Sequence, residues 1–251
     1  MLRLDVRSII AIQRIKGQWE SLAVPFWPDT KIQNLQHGLL GIDLELPAGK
    51  HNLALEAELA NGKSAKCTAE IAVKAGSFAV EKLTVAKEYA EPNPEDIARA
   101  EKESLRLREI FATATTEKLW HGPFRLPLDG AHPAKNFGRR RVLNGSPGPP
   151  HTGMDFPAAA GTPIHAAQGG RVVLAENLFF SGNTVLVDHG LGIYTFYGHM
   201  EEIDVAVGDP VKAGTLLGLV GATGRVTGPH LHWALRVEMA HVNPLQIVGV
   251  Q

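Results

Sequence analysis

His151-Thr152-Gly153-Met154-Asp155 opens, and Gly228-Pro229-His230-Leu231-His232-Trp233 closes, the stretch that decides the fold, with Tyr197-Gly198-His199-Met200 between them. Short apolar runs at residues 170–175, 183–188, 192–197 and 215–220 separate these motifs. Turn residues break the runs, among them Gly161-Thr162-Pro163, Gly182-Asn183 and Gly208-Asp209-Pro210. Apolar runs this short, punctuated this densely, predict strands joined by tight connections, in an antiparallel sheet or barrel-sandwich hybrid.

The motifs carry chemistry as well as punctuation. In His230-Leu231-His232 the imidazoles are two apart, so on a strand both face one side while Leu231 points the other way, into a core. His151 and Asp155 are four apart, which would share a face in a helix. Gly153 and the preceding Pro147-Gly148-Pro149-Pro150 instead predict a bent strand or turn. His199 follows a strand run and precedes Glu201-Glu202, which places it at a strand end. Imidazole nitrogen and carboxylate oxygen suit zinc, and a catalytic zinc site uses three protein ligands and leaves a position for water. No His-Glu-x-x-His helix is present, which excludes the zincin arrangement. His165, His189 and His241 lack such partners and read as hydrogen-bonded structural histidines.

Taken together and in order, His-x-Gly-x-Asp, Tyr-x-His and Gly-Pro-His-Leu-His-Trp resemble the LytM/lysostaphin-type metallopeptidases, peptidase family M23. The resemblance spans about residues 120–245 and includes the turn Gly221-Ala222-Thr223-Gly224. It implies a zinc ion held by His151, Asp155 and His232, with His199 and His230 as catalytic residues beside the open position. It implies a zinc metalloendopeptidase that hydrolyses cross-links or stem peptides of bacterial peptidoglycan, in the periplasm, the cell envelope or outside the cell. Tyr197, Asn144 and Arg141 are the candidate substrate-binding residues. Ala234 stands where many relatives carry Glu, at a position that is not a ligand. Some relatives that have lost ligands act only as activators of other wall hydrolases. The runner-up is therefore a non-catalytic wall-binding or amidase-activating module, although all five positions are filled here. Residues 207–214 resemble the turn region of biotinyl and lipoyl carriers, with Lys212 exposed to modification, but a carrier gives no reason for the His and Asp constellation.

The rest of the chain divides by pattern. Residues 1–88 read as an accessory β-sandwich of Ig-like type: Leu44, Leu46, Leu53, Leu55, Ala57 and Leu59 alternate with polar partners, and Asn61-Gly62 is a hairpin turn. His37 and His51 have no partners at meaningful spacing and read as surface residues. Residues 89–117 read as a helical linker. Asn93-Pro94-Glu95-Asp96 supplies an N-cap, a first-turn Pro and acids at the positive end of the dipole, predicting a helix over about 94–112. Its charge suggests a solvated strut, a lid over the site being the alternative. Residues 118–251 are the peptidase domain, entered by a strand at 124–127. Arg139-Arg140-Arg141 is either a solvated loop or a clamp on a substrate carboxylate, for which the guanidinium has the fork geometry.

At 44% hydrophobic and 20% charged residues, the chain can bury real cores. A formal charge of −1 argues against a nucleic-acid partner. The single cysteine, Cys67, excludes an intramolecular disulfide and reads as a small buried hydrophobe. No run is long enough to span a membrane, and Ser8-Ile9-Ile10-Ala11-Ile12 is too short for a signal-peptide core. The expectation is a cytoplasmic chain or one from which an export signal has been removed, with oligomeric state undetermined.

Overall fold

A computed structural model describes residues 1–113, 115–130 and 132–251. The first strands are β1 (Leu2–Arg7), β2 (Ile12–Trp19), β3 (Leu22–Val24), β4 (Phe26–Pro28), β5 (Leu35–Leu40), β6 (Gly49–Leu59) and β7 (Ser64–Val73). They form a three-stranded sheet, β1-β5-β4, and a four-stranded sheet, β3-β2-β6-β7. Leu4, Phe26 and Leu40 of the first sheet pack on Trp19, Leu53 and Ile71 of the second, so the two enclose one core. In β6 the alternation is as the sequence requires, with Leu53 and Ala57 buried and Ala54, Glu56 and Glu58 exposed.

Several expectations change here. Leu44 and Leu46 lie in the connection between β5 and β6, not on a strand, although Leu46 still packs against this core. Cys67 is exposed. It sits on β7, the outer strand of its sheet, where only Ile71 and Val73 near one end reach the core. His37 is buried rather than at the surface, because its ring bridges Asp5 Oδ1 and Asp29 Oδ2, each at 2.7 Å.

Next come β8 (Val80–Leu83), a short helix α1 (Lys87–Ala90) and α2 (Pro94–Ala112). Asn93 caps α2 by accepting the Asp96 N–H at 2.9 Å. The helix is not a free strut. Phe111, Leu107 and Ile110 dock on Leu174, Leu178, Leu186 and Tyr194, and Arg99 and Arg106 reach Asn177 and Glu176. The charges that suggested a strut thus pair with the sheet, while a narrow apolar stripe seals the contact.

The remaining strands are β9 (Arg140–Leu143), β10 (Ser146–Pro147), β11 (Met154–Pro157), β12 (Pro163–His165), β13 (Gly170–Leu178), β14 (Gly182–Asp188), β15 (Ile193–Ile203), β16 (Pro210–Val211), β17 (Leu216–Val220), β18 (His230–Val237) and β19 (Ala240–Val242). Nine of them make one antiparallel sheet with the path β11-β18-β15-β14-β13-β16, to which β12, β17 and β19 add by side pairings. Phe124 makes one isolated bridge to Val248 instead of the expected strand. β8 pairs in parallel with β9, so residues 80–83 are tied to the segment that leads into the large sheet. Trp27 and Leu39 of the N-terminal sheets join Trp120, Phe124 and Leu128 in the main core. Among the described residues no helix is long and apolar enough to cross a membrane.

Candidate metal centre

Register on the central strands builds the site. β18 lies between β11 and β15, with Asp155 directly opposite His232 and Gly198 opposite it on the other side. Directly opposed residues on antiparallel strands share a face, so Asp155 and His232 are neighbours by pairing alone. Leu231 and Trp233 turn the other way and are fully buried. His151 precedes β11 in extended loop, and its ring comes to the same face. Gly153 makes room: a Cβ there would stand 2.6 Å from the His232 ring.

His199 reaches this face by an irregularity. Tyr197 pairs with Trp233, and both point into the core. A residue two further along a regular strand would follow them inward. Between Tyr197 and Met200 the register with β14 shifts, and His199 takes φ 64°, the left-handed region. A bulge of this kind re-aims a side chain, and it turns His199 onto the ligand face, 4.8 Å centroid to centroid from His230.

Three donor atoms converge. His151 Nε2 is 2.9 Å from His232 Nδ1, and Asp155 Oδ1 is 3.0 Å from each. His230 Nε2 lies 3.7 Å from the same oxygen. Tetrahedral zinc with ligands at about 2.0–2.1 Å keeps them roughly 3.3 Å apart, close to this triangle. The protonation pattern fits too. Backbone carbonyls can only accept, so His151 Nδ1 donates to Asn136 O, His199 Nδ1 to Thr223 O and His230 Nδ1 to Gly228 O. Each contact fixes the tautomer with a bare Nε2. In neutral His151 that lone pair faces the Asp155 carboxylate, acceptor against acceptor, which is the arrangement a cation relieves. Among the described residues this is the cluster whose donor atoms could hold a metal ion.

The surrounding field has the same sense. Burial works against the Asp155 charge, but the His151 and His232 rings beside it outweigh it and hold the carboxyl far below the usual range. Burial pushes His199 down to about 3, with the His232 and His230 charges adding to it. Burial likewise brings His232 to about 4 against the pull of Asp155. These imidazoles are therefore neutral at ordinary pH, as ligands and proton acceptors must be.

Two residues carry no spacing signal in the sequence. Asn136, 5% exposed, donates from Nδ2 to Asp155 Oδ2 at 2.8 Å and accepts the Asp155 N–H on Oδ1 at 3.0 Å. Arg225 follows Thr223, the His199 acceptor, and lays its guanidinium 4.4 Å over the Phe180 ring. Of the candidate substrate-binding residues, Arg141 reaches the site, 3.6 Å from Asp155 Oδ2. Asn144 does not: both ends of its amide hold the Val85 backbone. Nor does Tyr197, whose hydroxyl is buried between Ala167 N and Thr195 Oγ1. Arg139 and Arg140 pair with Glu81 and Glu45.

Two cavities of about 270 and 280 Å³ share Arg141, His199 and Arg225 in their walls, as two arms of one groove. The first arm has an aromatic and aliphatic side, with Leu107 and Phe111 of α2 and Phe180 and Phe196, beside Arg141, Arg225 and Arg236. The second carries Glu81, Asn136, Asp155 and His230. A larger cavity, about 820 Å³, lies on the face of the N-terminal sandwich and contains none of the five motif residues. His189, assigned a structural part, is fully buried between Gly169 O and Thr195 Oγ1.

Comparison with known proteins agrees with this geometry. The model of peptidase family M23 matches residues 149–244. Peptidoglycan DD-endopeptidase ShyA of Vibrio cholerae is 43% identical over 97 residues, 39% of this chain and 23% of that protein. ShyC, a peptidoglycan DD-endopeptidase of the same organism, is 42% identical over 122 residues, 48% of this chain and 28% of that protein. DD-carboxypeptidase/endopeptidase Mpg of Neisseria meningitidis is 39% identical over 97 residues, 39% of this chain and 22% of that protein. The chain thus spans about a quarter of the length of these relatives. A crystal structure of a candidate M23 peptidase from Pseudomonas aeruginosa superposes with a TM-score of 0.76 at 28% identity, covering 99% of this chain and 94% of that one. That match takes in the N-terminal sheets and α2 as well as the large sheet. Residues 149–244, which set the motif residues on one face of that sheet, are thus a peptidase family M23 domain.

Proposed function

We propose that this chain is a zinc-dependent endopeptidase acting on the peptide cross-links or stem peptides of bacterial peptidoglycan, outside the cytoplasm where that polymer lies. In this reading His151 Nε2, Asp155 Oδ1 and His232 Nδ1 hold the ion, residues 118–251 form the catalytic unit, and residues 1–88 with the helix are accessory. One observation carries it: His151 Nε2, Asp155 Oδ1 and His232 Nδ1 stand within 3.0 Å of one another, and His151 Nδ1 already donates to a backbone carbonyl, so its Nε2 lone pair faces the carboxylate.

Zinc bound there supplies Lewis acidity, lowering the pKa of coordinated water toward roughly 7 and polarising a carbonyl. The chain's own groups do the rest. His199 and His230 each have Nδ1 committed to a backbone carbonyl and Nε2 bare, so each can take a proton from water. Once protonated, either can donate to the oxyanion or to the leaving amine. Asn136 fixes the Asp155 carboxylate in place for the ion.

The test is zinc content measured beside release of new amines from purified cell walls. His232→Ala loses the metal. His199→Ala and His230→Ala keep it and lose most turnover. Walls left intact by zinc-loaded protein would favour a module that binds wall without cutting it.

A further inference from the structure

Arg225 is half-buried, yet among the described residues no carboxylate pairs with it and no side-chain hydrogen bond engages it. Its guanidinium rests only on the Phe180 ring. An exposed cation–π contact contributes about 0.5–1 kcal/mol, up to about 2 when desolvated, which leaves the hydrogen-bonding edge of the guanidinium free for an anion. Burial, with the Arg141 charge adding to it, pushes Arg225 down to about 10. Arg141 is little better served: its Nε is buried without a hydrogen-bond partner, and its carboxylate contacts are loose, 3.6 Å to Asp155 and 3.8 Å to Glu81. Asp155 faces the ligand cluster, and Glu81 is taken by Arg139 at 2.7 Å. Two like-charged groups therefore line both arms of the groove beside His199, and among the described residues no carboxylate is bound to Arg225.

Resting on the zinc-endopeptidase reading above, we propose that Arg225, assisted by Arg141, is a specificity-determining residue that binds a free carboxylate of the substrate peptide beside the scissile bond. A planar guanidinium meets a carboxylate with two parallel N–H···O bonds. An aliphatic chain or a carboxamide at the same place leaves the charge unpaired. The carboxylate has two sources in a wall peptide, the chain's C-terminus or the cross-linking diamino acid, and the experiment separates them.

Three cross-linked peptide dimers are compared: one with all carboxylates free, one amidated at the C-terminus, and one amidated at the diamino acid. Wild-type protein should cleave the free form and one amidated form alike and the other about 10- to 100-fold less well in kcat/KM, mainly through KM. The slow one names the source. Arg225→Met should bring the fast substrates down to the slow rate, and Arg225→Lys should recover part of the difference, with zinc content and melting temperature unchanged. Equal cleavage of all three by wild type, or discrimination surviving in Arg225→Met, would overturn the proposal. Calorimetric binding of the same dimers to zinc-loaded His199→Ala, with and without Arg225→Met, reads the preference apart from turnover. Preference in binding that vanishes with Arg225 upholds the carboxylate site even if wild type cleaves nothing, which would refute the endopeptidase reading alone; indifference in binding refutes the carboxylate site.

Discussion

Asn136 holds Asp155 at two points, its amide donating to Oδ2 and its carbonyl oxygen accepting the Asp155 backbone N–H. The same residue's main-chain oxygen receives His151 Nδ1. One loop residue thus orients two of the three proposed ligands. Partners of ligands typically contribute 10- to 100-fold in metal affinity. Asn136→Ala should weaken zinc binding by about that factor, read by competition with a chelator of known affinity. An unchanged affinity would mean that the carboxylate is positioned by β11 alone.

Phe111 is 4% exposed, edge-on to Tyr194 at 5.3 Å, with the Arg236 guanidinium 4.7 Å over its ring. It is the deepest anchor of α2, and α2 walls the first arm of the groove. Phe111→Ala should cost about 3–5 kcal/mol of stability. Amide exchange in α2 should quicken more than in β14 or β15. Equal quickening everywhere would show that the helix opens only with the whole fold.

How much of this was legible beforehand depended on range. His230-Leu231-His232 could be read because a period of two on a strand is local, and the buried Leu231 follows from the same rule. Asn93 and Pro94 fixed the start of α2 for the same reason. His199 was legible as a member of the histidine cluster but not as a bulge, since a left-handed φ in a histidine leaves no mark in composition. Asn136 lies 19 residues before Asp155 in a loop, and nothing in its neighbours announces a partner that far away. Cys67 misled because alternation marks a face without saying whether another sheet covers it. Tyr197 misled because its neighbour His199, not the tyrosine, is the residue that the bulge turns outward.

Asn144 bears on the groove from a distance. It takes φ 48°, which Asn tolerates better than Ala, and its amide makes bonds of 3.0 and 2.9 Å to the Val85 backbone. Those bonds extend the β8–β9 pairing that carries Arg141. Asn144→Ala should therefore lower stability by about 1–3 kcal/mol and leave KM for wall peptides unchanged. A raised KM with unchanged stability would return Asn144 to substrate binding.

His189 supplies a pH dependence that owes nothing to the metal. Burial pushes it from 6.5 down to about 4, against a hydrogen bond to Gly169 O. In the unfolded chain it takes up a proton as pH falls through 6.5, whereas the folded chain does not until about 4. Within that window the unfolded state binds the extra proton, so stability falls as pH falls. The loss is complete near pH 4, and below it the folded state is protonated too and the dependence from this group stops. The full excursion is about 3 kcal/mol. His189→Gln keeps a donor for Gly169 O and an acceptor for the Thr195 hydroxyl without titrating. Denaturant unfolding of both proteins from about pH 7 to about pH 4.5 should show the variant less stable at the upper end and the gap closing toward the lower. A gap that stays constant across the range would mean that His189 titrates alike in the folded and unfolded states.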